Sequence, residues 1–437
     1  MNPAHRSLGT GSSPRPGPRS SRPGDRSSST TSGRGTTSGP ASASSAGNGT
    51  HDSQTPVAGS APGHTNGASR ANGTARSATN GRVPHPEMEG TDDIMDPLVA
   101  VSERHGLDPL GARLSELKDW LVDDLLELEA GIDALHVPEP DLARRAASHL
   151  VRLPGKRIRP LCVLLAARIG GRSLDAVVKD LAISCELVHA ATLLHDDVLD
   201  VGEERRGEPT ARVVYGNSAS ILGGDYLLIE SLRRVNQAGE SQLLTNLLQV
   251  IDRMVHAEAL QLERRERFDP RRSIYLEVIE GKTASLFRWG LEAGATVAGL
   301  PRADVEALAE VGFHFGMSFQ LTDDAIDLSG DPETTGKTPF TDVKEGKLTW
   351  PLIVGCERDP SIQAELASIL EDPSRVEEEP RMIELARRLQ AVGATDETRR
   401  YAAEHAALAI GRLQTLAPSK ARDAIQAVIE AVVQRAS

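Results

Sequence analysis

The stretch ELVHAATLLHDDVLD, residues 186–200, is an apolar helical run that ends in three aspartates. Apolar residues recur every three or four positions before it, which predicts one long helix over Ser173–Asp200. Residues four apart on a helix lie about 40° apart around the axis and about 6 Å apart along it. Asp196 and Asp200 therefore share a face, with Asp197 beside them. Carboxylates this close repel each other, so the stretch predicts a positively charged partner.

A second helical run ends in the same way. TDDAID, residues 322–327, repeats the pattern of HDDVLD, residues 195–200, and places Asp323, Asp324 and Asp327 together. One acidic cluster is usually a solvated helix end, but two at the ends of apolar helices favour a metal site. Mg²⁺ prefers oxygen ligands and is commonly held by one or two carboxylates plus substrate phosphates. The two motifs therefore predict bound Mg²⁺.

Most of the chain after residue 90 has helical periodicity, and strand patterns are scarce. Further long helices are predicted over Glu240–Arg267, Arg271–Leu300, Arg302–Leu328, Glu378–Leu416 and Ser419–Ala436. Helices of about thirty residues exceed the usual globular length and suit a bundle wrapped around a central cavity. The predicted fold is all-α, a single-domain bundle of long helices around a deep central cavity. No apolar run is long enough for a membrane span.

The beginning of the chain has a different composition. Residues 1–86 carry nine Arg and two Asp, a charge of +7, and almost no large aliphatic side chains. Because the whole chain carries −13, the rest carries −20. We expect residues 1–90 to be a disordered Ser/Gly/Pro/Arg-rich tail and residues 91–437 to form the helical domain. The tail could be an appendage, a targeting segment or the result of a misassigned start. The acidic domain argues against nucleic acid as a partner.

Three cysteines, Cys162, Cys185 and Cys356, are far apart and lie in apolar helical contexts. This usage is typical of reduced core residues and predicts a cytoplasmic protein.

Basic side chains accompany the acidic motifs. They are Lys156, Arg157 and Arg159 in PGKRIRP, Arg205 and Arg206 in ERRGEPT, Lys282 in EGKTASLF, and Lys337 and Lys347 in TTGKTPFTDVKEGKLT. Arginine forks and lysine ammonium groups suit phosphate oxygens. Basic clusters beside metal carboxylates in an acidic domain predict a negatively charged substrate, and a diphosphate bound through Mg²⁺ fits this chemistry.

Six motifs, in this order, resemble those of the trans-isoprenyl diphosphate synthases, the polyprenyl synthetase family. They are GKRIRP (155–160), ELVHAATLLHDDVLD (186–200), RRGEPT (205–210), GKTASLF (281–287), FQLTDDAIDLSGD (319–331) and GKTPFTDVKEGKLTWP (336–351). The resemblance implies the all-α isoprenoid synthase fold and a homodimer. It also implies a Mg²⁺-dependent prenyltransferase that condenses isopentenyl diphosphate with an allylic prenyl diphosphate.

The resemblance further implies two diphosphate sites. Lys156, Arg159, His189 and Arg206 would bind isopentenyl diphosphate. The predicted metal ligands are the aspartates of both motifs, Asp196, Asp197, Asp200, Asp323, Asp324 and Asp327. Around the allylic substrate, Arg205, Lys282 and Lys337 would add charge, Thr283 and Gln320 would lie near the developing cation, and Lys347 would close the site.

The length of the product depends on the residues just before the first aspartate. In the family, a large aromatic residue there blocks the product tunnel, whereas this chain has Ala191 and Thr192. Resemblance to octaprenyl and solanesyl synthases likewise predicts a long-chain product. A geranylgeranyl or farnesyl diphosphate synthase and a regulatory subunit of a heteromeric synthase are alternatives. The isopentenyl diphosphate motifs and the aspartates of DDAID disfavour a class I terpene cyclase.

Overall fold

The computed structural model describes residues 108–135, 141–265, 267–329, 341–377 and 379–435. The predicted tail, the domain boundary near residue 90 and Lys337 lie outside these ranges. In chain order the helices and strands are α1 (Asp108–Asp133), α2 (Leu142–Val151), α3 (Ile158–Ile169), α4 (Ala176–Leu199), β1 (Glu204–Arg205), β2 (Glu208–Pro209), α5 (Ala211–Tyr215), α6 (Asn217–Gln237), α7 (Ser241–Arg265), α8 (Arg272–Ile279), α9 (Ser285–Val297), α10 (Arg302–Ser329), α11 (Thr341–Lys344), α12 (Trp350–Arg358), α13 (Pro360–Glu371), α14 (Glu379–Ala391), α15 (Ala394–Leu413) and α16 (Lys420–Gln434).

The predicted all-α fold is confirmed, and the two helices that carry the acidic motifs are central to it. Helix α4 begins after Asp175, whose side chain accepts a hydrogen bond from the backbone N–H of Val178, and it packs against α3, α6 and α9. Helix α10 packs against α9 and α15. The acidic ends of α4 and α10 are thus held by apolar packing on several sides.

The predicted helix over Arg271–Leu300 forms with an interruption. A π-helical turn at Glu280–Ala284 joins α8 to α9. Such turns insert an extra residue into a helix and are frequent at functional sites. This one contains Lys282 and Thr283, two of the predicted site residues.

The prediction of one helix over Glu378–Leu416 is wrong. Two helices, α14 and α15, occupy this region, and the chain turns between them at Gly393, where φ is +69°. Glycine adopts this left-handed conformation without steric cost, and it commonly ends a helix. The guanidinium of Arg358 donates to the carbonyls of Val392 and Gly393 at 2.7 and 3.0 Å, which satisfies acceptors that the broken helix leaves free.

A short antiparallel hairpin, β1–β2, was not predicted. Its two central residues, Arg206 and Gly207, have φ of +57° and +81°. Two consecutive positive φ values are typical of the type I′ turn that closes two-residue hairpins. The hairpin places Arg205 on a strand and Arg206 in the adjoining turn.

Helix α10 packs closely against α9 and the π turn because two of its glycines face them. A Cβ atom on Gly312 would lie 2.5 Å from the carbonyl oxygen of Phe287, and one on Gly316 would lie 2.5 Å from the Cα of Ala284. The absence of side chains at these glycines brings the π turn against α10. None of the helices in the described ranges is long and apolar enough to cross a membrane.

Candidate active site

The end of α4 contributes Asp196, which is almost buried. The ammonium group of Lys282, from the π turn, lies 3.2 Å from its Oδ2 and also pairs with Glu258 of α7. Lys282 donates a further hydrogen bond to Gln261 at 3.2 Å. The motif residues Asp196 and Lys282, 86 positions apart, are therefore neighbours.

Asp200, at the end of the same helix, lies between two cations. Lys347 donates to its Oδ2 at 2.9 Å, and Arg265 of α7 donates to its Oδ1. Burial alone would raise the pKa of this carboxyl, but Lys347 and Arg265 hold it below its ordinary value. Burial would likewise lower the pKa of Lys347, but Glu345 and Asp200 raise it. Asp200 and Lys347 are thus both ionised at neutral pH.

Asp197 contacts the β1–β2 hairpin. It is buried, and Arg205 of the hairpin donates to its Oδ1 through Nε and Nη2 at 2.9 and 2.7 Å. Its Oδ2 is buried without a hydrogen-bond partner in the described part of the chain. The Asp197–Arg205 pair joins the end of α4 to the hairpin that carries Arg206.

On α10, Asp323 and Asp327 have different partners. Arg435, at the end of α16, lies 3.2 Å from Oδ1 of Asp323. Asp327 accepts from the backbone N–H groups of Thr341 and Asp342 at 3.1 and 3.4 Å. These contacts bring the chain after residue 340 and the end of α16 to the second motif.

Asp324 is fully engaged in hydrogen bonds. Its Oδ2 accepts from the hydroxyl of Tyr275 at 2.5 Å and from the backbone N–H of Trp350 at 3.3 Å, and its Oδ1 accepts from Gln320 at 3.0 Å. Burial, with a contribution from Asp342, raises its pKa to about 7. These hydrogen bonds tie α10 to α8 and α12.

A cavity opens beside these groups, and the hydroxyl of Thr283 donates to Gln320 at 2.9 Å within it. Its charged and polar lining consists of Gln261, Arg264, Arg265, Asp269, Arg271, Tyr275, Lys282, Thr283, Gln320, Asp324, Asp342, Lys347 and Thr349. The lining therefore includes five of the predicted site residues, from motifs that are far apart in sequence.

A second cationic region lies where α3, α4 and the hairpin meet. Burial lowers the pKa of His189 well below its ordinary value, as do Arg159, Arg206 and two further arginines nearby, so this imidazole is neutral. The guanidinium of Arg159 lies 4.6 Å from the ring centroid of Phe287, and its Nε is buried without a partner in the described ranges. Arg206 donates to the carbonyl of Leu153 at 3.0 Å. Arg159, His189 and Arg206 therefore lie near one another.

The loop before α3 is held in place by Arg157. This buried side chain donates to Glu186 at 2.6 Å, to Glu129 at 3.1 Å and to the carbonyl of Val151 at 2.8 Å. The guanidinium of Arg206 lies against Gly155 on the other side, where a Cβ would be 2.7 Å from Nη1. The half-buried Lys156 lies between these two fixed points.

Several residues at the site were not predicted from the sequence. Arg265, Glu258 and Tyr275 contact motif residues, as does Arg435, yet all four lie outside the six motifs. Arg265 occurs in a run of arginines that is equally typical of a solvated helix end. No local pattern distinguishes these residues, because each reaches the site only through the packing of its helix.

The donor set suits a magnesium ion that binds together with a phosphorylated ligand. In the described ranges, no three His, Cys, Asp or Glu side chains converge closely enough to hold a metal by themselves. Mg²⁺ does not need three, because one or two carboxylates plus substrate phosphates complete its shell. Asp196 and Asp200 share one helix end, and each is neutralised by a cation that could be exchanged for a metal.

Comparisons with known proteins identify the family. A family model described as Polyprenyl synthetase matches residues 140–386. The chain is 32% identical over 324 residues to octaprenyl diphosphate synthase of Escherichia coli K12, covering 74% of this chain and 99% of that protein. It is 33% identical over 302 residues to a short chain isoprenyl diphosphate synthase of Methanothermobacter thermautotrophicus, covering 68% and 91%.

A solved structure has the same fold. The polyprenyl synthase of Caulobacter crescentus CB15, crystallised with calcium and isoprenyl diphosphate, superposes with a TM-score of 0.68 at 31% identity. The match covers 78% of this chain and 98% of that one.

Proposed function

The chain belongs to the polyprenyl synthetase family. From this premise we propose that it condenses isopentenyl diphosphate with an allylic diphosphate, head to tail and in the trans configuration. The product we propose is a long-chain polyprenyl diphosphate. The family and the prenyltransferase activity follow from the matches above. The site residues, the identity of the metal, the product and the assembly are the proposed parts.

The observation that carries the proposal is that the cationic side chains near α4 form two groups with different neighbours. Arg159, His189 and Arg206 form one, and Lys282, Lys347 and Arg265 form the other, next to Asp196 and Asp200. A reaction between two diphosphates requires two such sites, only one of which must ionise its substrate. The aspartates lie at the second site, which we therefore assign to the allylic diphosphate.

At the isopentenyl diphosphate site, arginines provide the charge. Lys156, Arg159 and Arg206 would bind the phosphate oxygens, and the neutral His189 would donate one hydrogen bond. The unpartnered Nε of Arg159 supports this assignment, since a buried donor needs an acceptor that the described residues do not supply.

At the allylic site, Asp196 and Asp200 would hold Mg²⁺ from one helix, and Asp323 and Asp327 from the other. Bound Mg²⁺ would supply electrostatic stabilisation of the negative charge that grows on the departing diphosphate. Lys282 and Lys347 would bind the same oxygens, and Arg205 and Lys337 would add charge around them. Asp197 and Asp324 would act mainly through their hydrogen bonds.

The allylic C–O bond would break with its electron pair leaving on diphosphate, and the double bond of isopentenyl diphosphate would form the new C–C bond. The released diphosphate would then accept the proton that the product loses. Thr283 and Gln320 would lie beside the cation with their oxygen dipoles. The helices around the cavity would exclude the water that quenches such a cation. No nucleophilic side chain is needed for this sequence of steps.

The long-chain product is supported by small side chains before the first motif and by similarity to an octaprenyl diphosphate synthase. Similarity to a short chain synthase keeps the geranylgeranyl or farnesyl product as the alternative. The test is purified protein with farnesyl diphosphate, labelled isopentenyl diphosphate and Mg²⁺, with products resolved by chain length. We expect products several isoprene units longer than the primer. Accumulation of geranylgeranyl diphosphate would establish the alternative.

The same assay distinguishes a catalyst from a regulatory subunit. All six aspartates are present, which supports a catalyst that works without a second gene product. Incorporation of label by the purified chain alone is the expected result. Incorporation that appears only after adding cell extract would support the heteromeric alternative. The buried, unpaired cysteines support a cytoplasmic location.

We further propose a homodimer that forms through α6 and α7. Leu222 and Ile229, seven residues apart on α6, are 52% and 57% exposed, and Leu248 and Val255 repeat this spacing on α7 at 49% and 65%. Helices α6 and α7 pack against each other, so these side chains lie on neighbouring helices. Exposed apolar surface of this kind is typical of an interface. Ile229→Glu should produce monomers in sedimentation equilibrium, whereas Leu126→Glu, at an equally exposed position of α1, should not.

A further inference from the structure

Arg265, the last residue of α7, lines the cavity but belongs to none of the six motifs. Its guanidinium donates to Oδ1 of Asp200, and its side chain is only 17% exposed. In the described part of the chain, Asp200 is its single ion-pair partner. Arg265 is thus a largely buried cation whose charge is balanced by a proposed metal ligand.

Asp200 pairs with two cations, but only one of them has another carboxylate partner. Lys347 also binds it at 2.9 Å, and Lys347 has a second anionic partner in Glu345. The Nε of Arg265 is buried without a hydrogen-bond partner among the described residues. A buried guanidinium with an unused donor is poised to bind a further anion.

The neighbouring arginines pair with a different carboxylate, although Nε of Arg264 is also buried without a partner in the described ranges. Arg264 and Arg271 both pair with Asp269, at 2.7 and 2.6 Å, and the side chain of Arg271 is 62% exposed. Their charges are therefore balanced by a residue that has no part in the proposed metal site. Arg265 is the member of this group whose partner would be taken over by a metal.

We propose that Arg265 is an additional diphosphate-binding residue of the allylic site, which releases Asp200 to the metal and binds the phosphate oxygens instead. The inference rests on the proposed function. A buried cation that loses its counter-ion is strongly destabilised, so the exchange requires another anion within reach. The diphosphate would meet this requirement, because a metal held by Asp200 would bind it within reach of Arg265.

The test measures binding rather than turnover. Titration calorimetry with Mg²⁺ would compare the wild type, Arg265→Gln and Arg265→Lys for farnesyl thiodiphosphate, an allylic analogue that ionises poorly. We expect Arg265→Gln to weaken binding about tenfold and Arg265→Lys to restore part of it, since hydrogen bonds to charged groups are worth that much. Arg271→Gln, which removes the same charge at the cavity rim, should have less than half the effect on binding free energy.

Two further ligands test whether Arg265 binds the diphosphate of the allylic substrate or that of another compound. With isopentenyl diphosphate, Arg265→Gln should change affinity less than twofold, because Arg265 pairs with Asp200 and not with the residues assigned to that site. With inorganic diphosphate, the loss should match that of the analogue. A loss confined to isopentenyl diphosphate or to inorganic diphosphate would overturn the assignment, as would equal affinity of wild type and variant for the analogue.

A metal-free arm tests the exchange itself. With EDTA present, Asp200 retains Arg265, so Arg265→Gln should weaken analogue binding much less than it does with Mg²⁺. Equal losses in both conditions would overturn the exchange. Melting temperatures verify folding, and Arg265→Lys provides a second folded variant if Arg265→Gln is unstable. Failure of the wild type to bind the analogue with Mg²⁺ would instead reject the proposed function.

Discussion

Neighbouring aspartates of each acidic motif have different partners and different burial. Asp196, Asp200 and Asp323 pair with cationic side chains from distant elements. Asp197 and Asp324 are the most deeply buried of the six, and they bind Arg205 and Tyr275. Helix geometry explains the division, because consecutive residues point about 100° apart. The repulsion implied by the sequence is thus relieved here by lysine and arginine.

The first prediction concerns the proposed metal ligands. Asp196→Asn and Asp323→Asn should each lower turnover by at least about a hundredfold, since even residues that only orient a ligand contribute ten- to a hundredfold. The helical circular dichroism signal should remain, because neither substitution alters the apolar packing. The control is Asp225→Asn, a half-exposed position on α6 beside His195. Near-normal turnover of either variant at saturating Mg²⁺ would refute the assignment.

The second prediction concerns the buried carboxyl of Asp324. Tyr275→Phe removes one of its three hydrogen-bond donors, and we expect the free energy of unfolding to fall by about 1–3 kcal/mol. Denaturant titration at pH 7.5 measures this change. Tyr401→Phe is the matched control, because its hydroxyl has no hydrogen-bond partner within the described ranges. Equal stability of the two variants would show that the Tyr275–Asp324 contact contributes nothing.

At this scale the sequence predicted which carboxylates cluster but not what neutralises them. Periodicity places Asp196 and Asp200 on one face because that depends only on the local helix. Arg265 and Arg435 reach the motifs through the packing of α7 and α16, which no local pattern encodes. Lys282 was identified because it belongs to a motif, although its contact with Glu258 was not.

Among the secondary-structure elements, the β1–β2 hairpin has the clearest consequence for function. Its type I′ turn places Arg205 against Asp197 and Arg206 against the loop that carries Lys156. Two consecutive arginines are thereby assigned to two different diphosphate sites.

The third prediction follows from this separation. Arg205→Gln should raise the Michaelis constant for the allylic diphosphate more than that for isopentenyl diphosphate, and Arg206→Gln should do the reverse. Steady-state kinetics with each substrate varied in turn measures both constants. Gly207→Ala, which strains the turn at φ +81° without removing a charge, should disturb both sites. Equal effects of the two arginine variants on both constants would contradict the assignment.

The crossing of α10 and α15 contains a pair of histidines. The Nδ1 atoms of His314 and His405 lie 3.0 Å apart, so one ring must donate and the other accept, and both are neutral. Burial lowers the pKa of both, and His314 helps to lower that of His405 to about 4. Glu310 is the nearby acidic group, and it acts in the opposite direction on His314.

The fourth prediction is the pH dependence of this pair. A histidine with a folded pKa near 4 and an unfolded pKa of about 6.5 takes up its proton more readily when unfolded. Its contribution to stability is therefore present above about pH 6.5 and is lost as pH falls toward 4. His405→Gln should reduce the loss of unfolding free energy between pH 7 and pH 5 by about 2 kcal/mol at most. Unfolding free energies measured by denaturant titration at both pH values test this, and an identical pH profile for His405→Gln and the wild type would contradict the prediction.

Hydrophobic periodicity predicted the helices whose apolar face is continuous. It failed where the backbone conformation changes while the spacing of apolar residues does not. Helices α4, α7 and α10 formed within a few residues of their predicted bounds. The break at Gly393 was missed because apolar residues keep their helical spacing on both sides of it. The π turn was missed for the same reason, since one inserted residue hardly disturbs the pattern of a long helix.

For the whole molecule, we expect the position of the proposed allylic site relative to the buried core to determine the product. Asp196 and Asp200 lie at the end of α4, and the rest of that helix runs through an extensive apolar cluster. We therefore expect a growing isoprenoid chain to pass along α4, away from Asp196. Thr192 lies on the same face as Asp196, about one turn deeper, and Ala191 lies beside it facing the core.

The fifth prediction is that side-chain volume at this depth sets product length. Ala191→Phe should shorten the product by several isoprene units without abolishing turnover, because a phenyl ring would block the chain below the metal site. Ala191 is completely buried, so this variant should also lose about 1–3 kcal/mol of stability from overpacking. Thr192→Phe, at a half-buried position, should shorten the product with a smaller loss of stability. Products would be resolved by reversed-phase chromatography after dephosphorylation, at temperatures where both variants remain folded. Unchanged chain lengths in both variants would show that the product does not extend along this part of α4, and that the floor of its tunnel is formed by other helices.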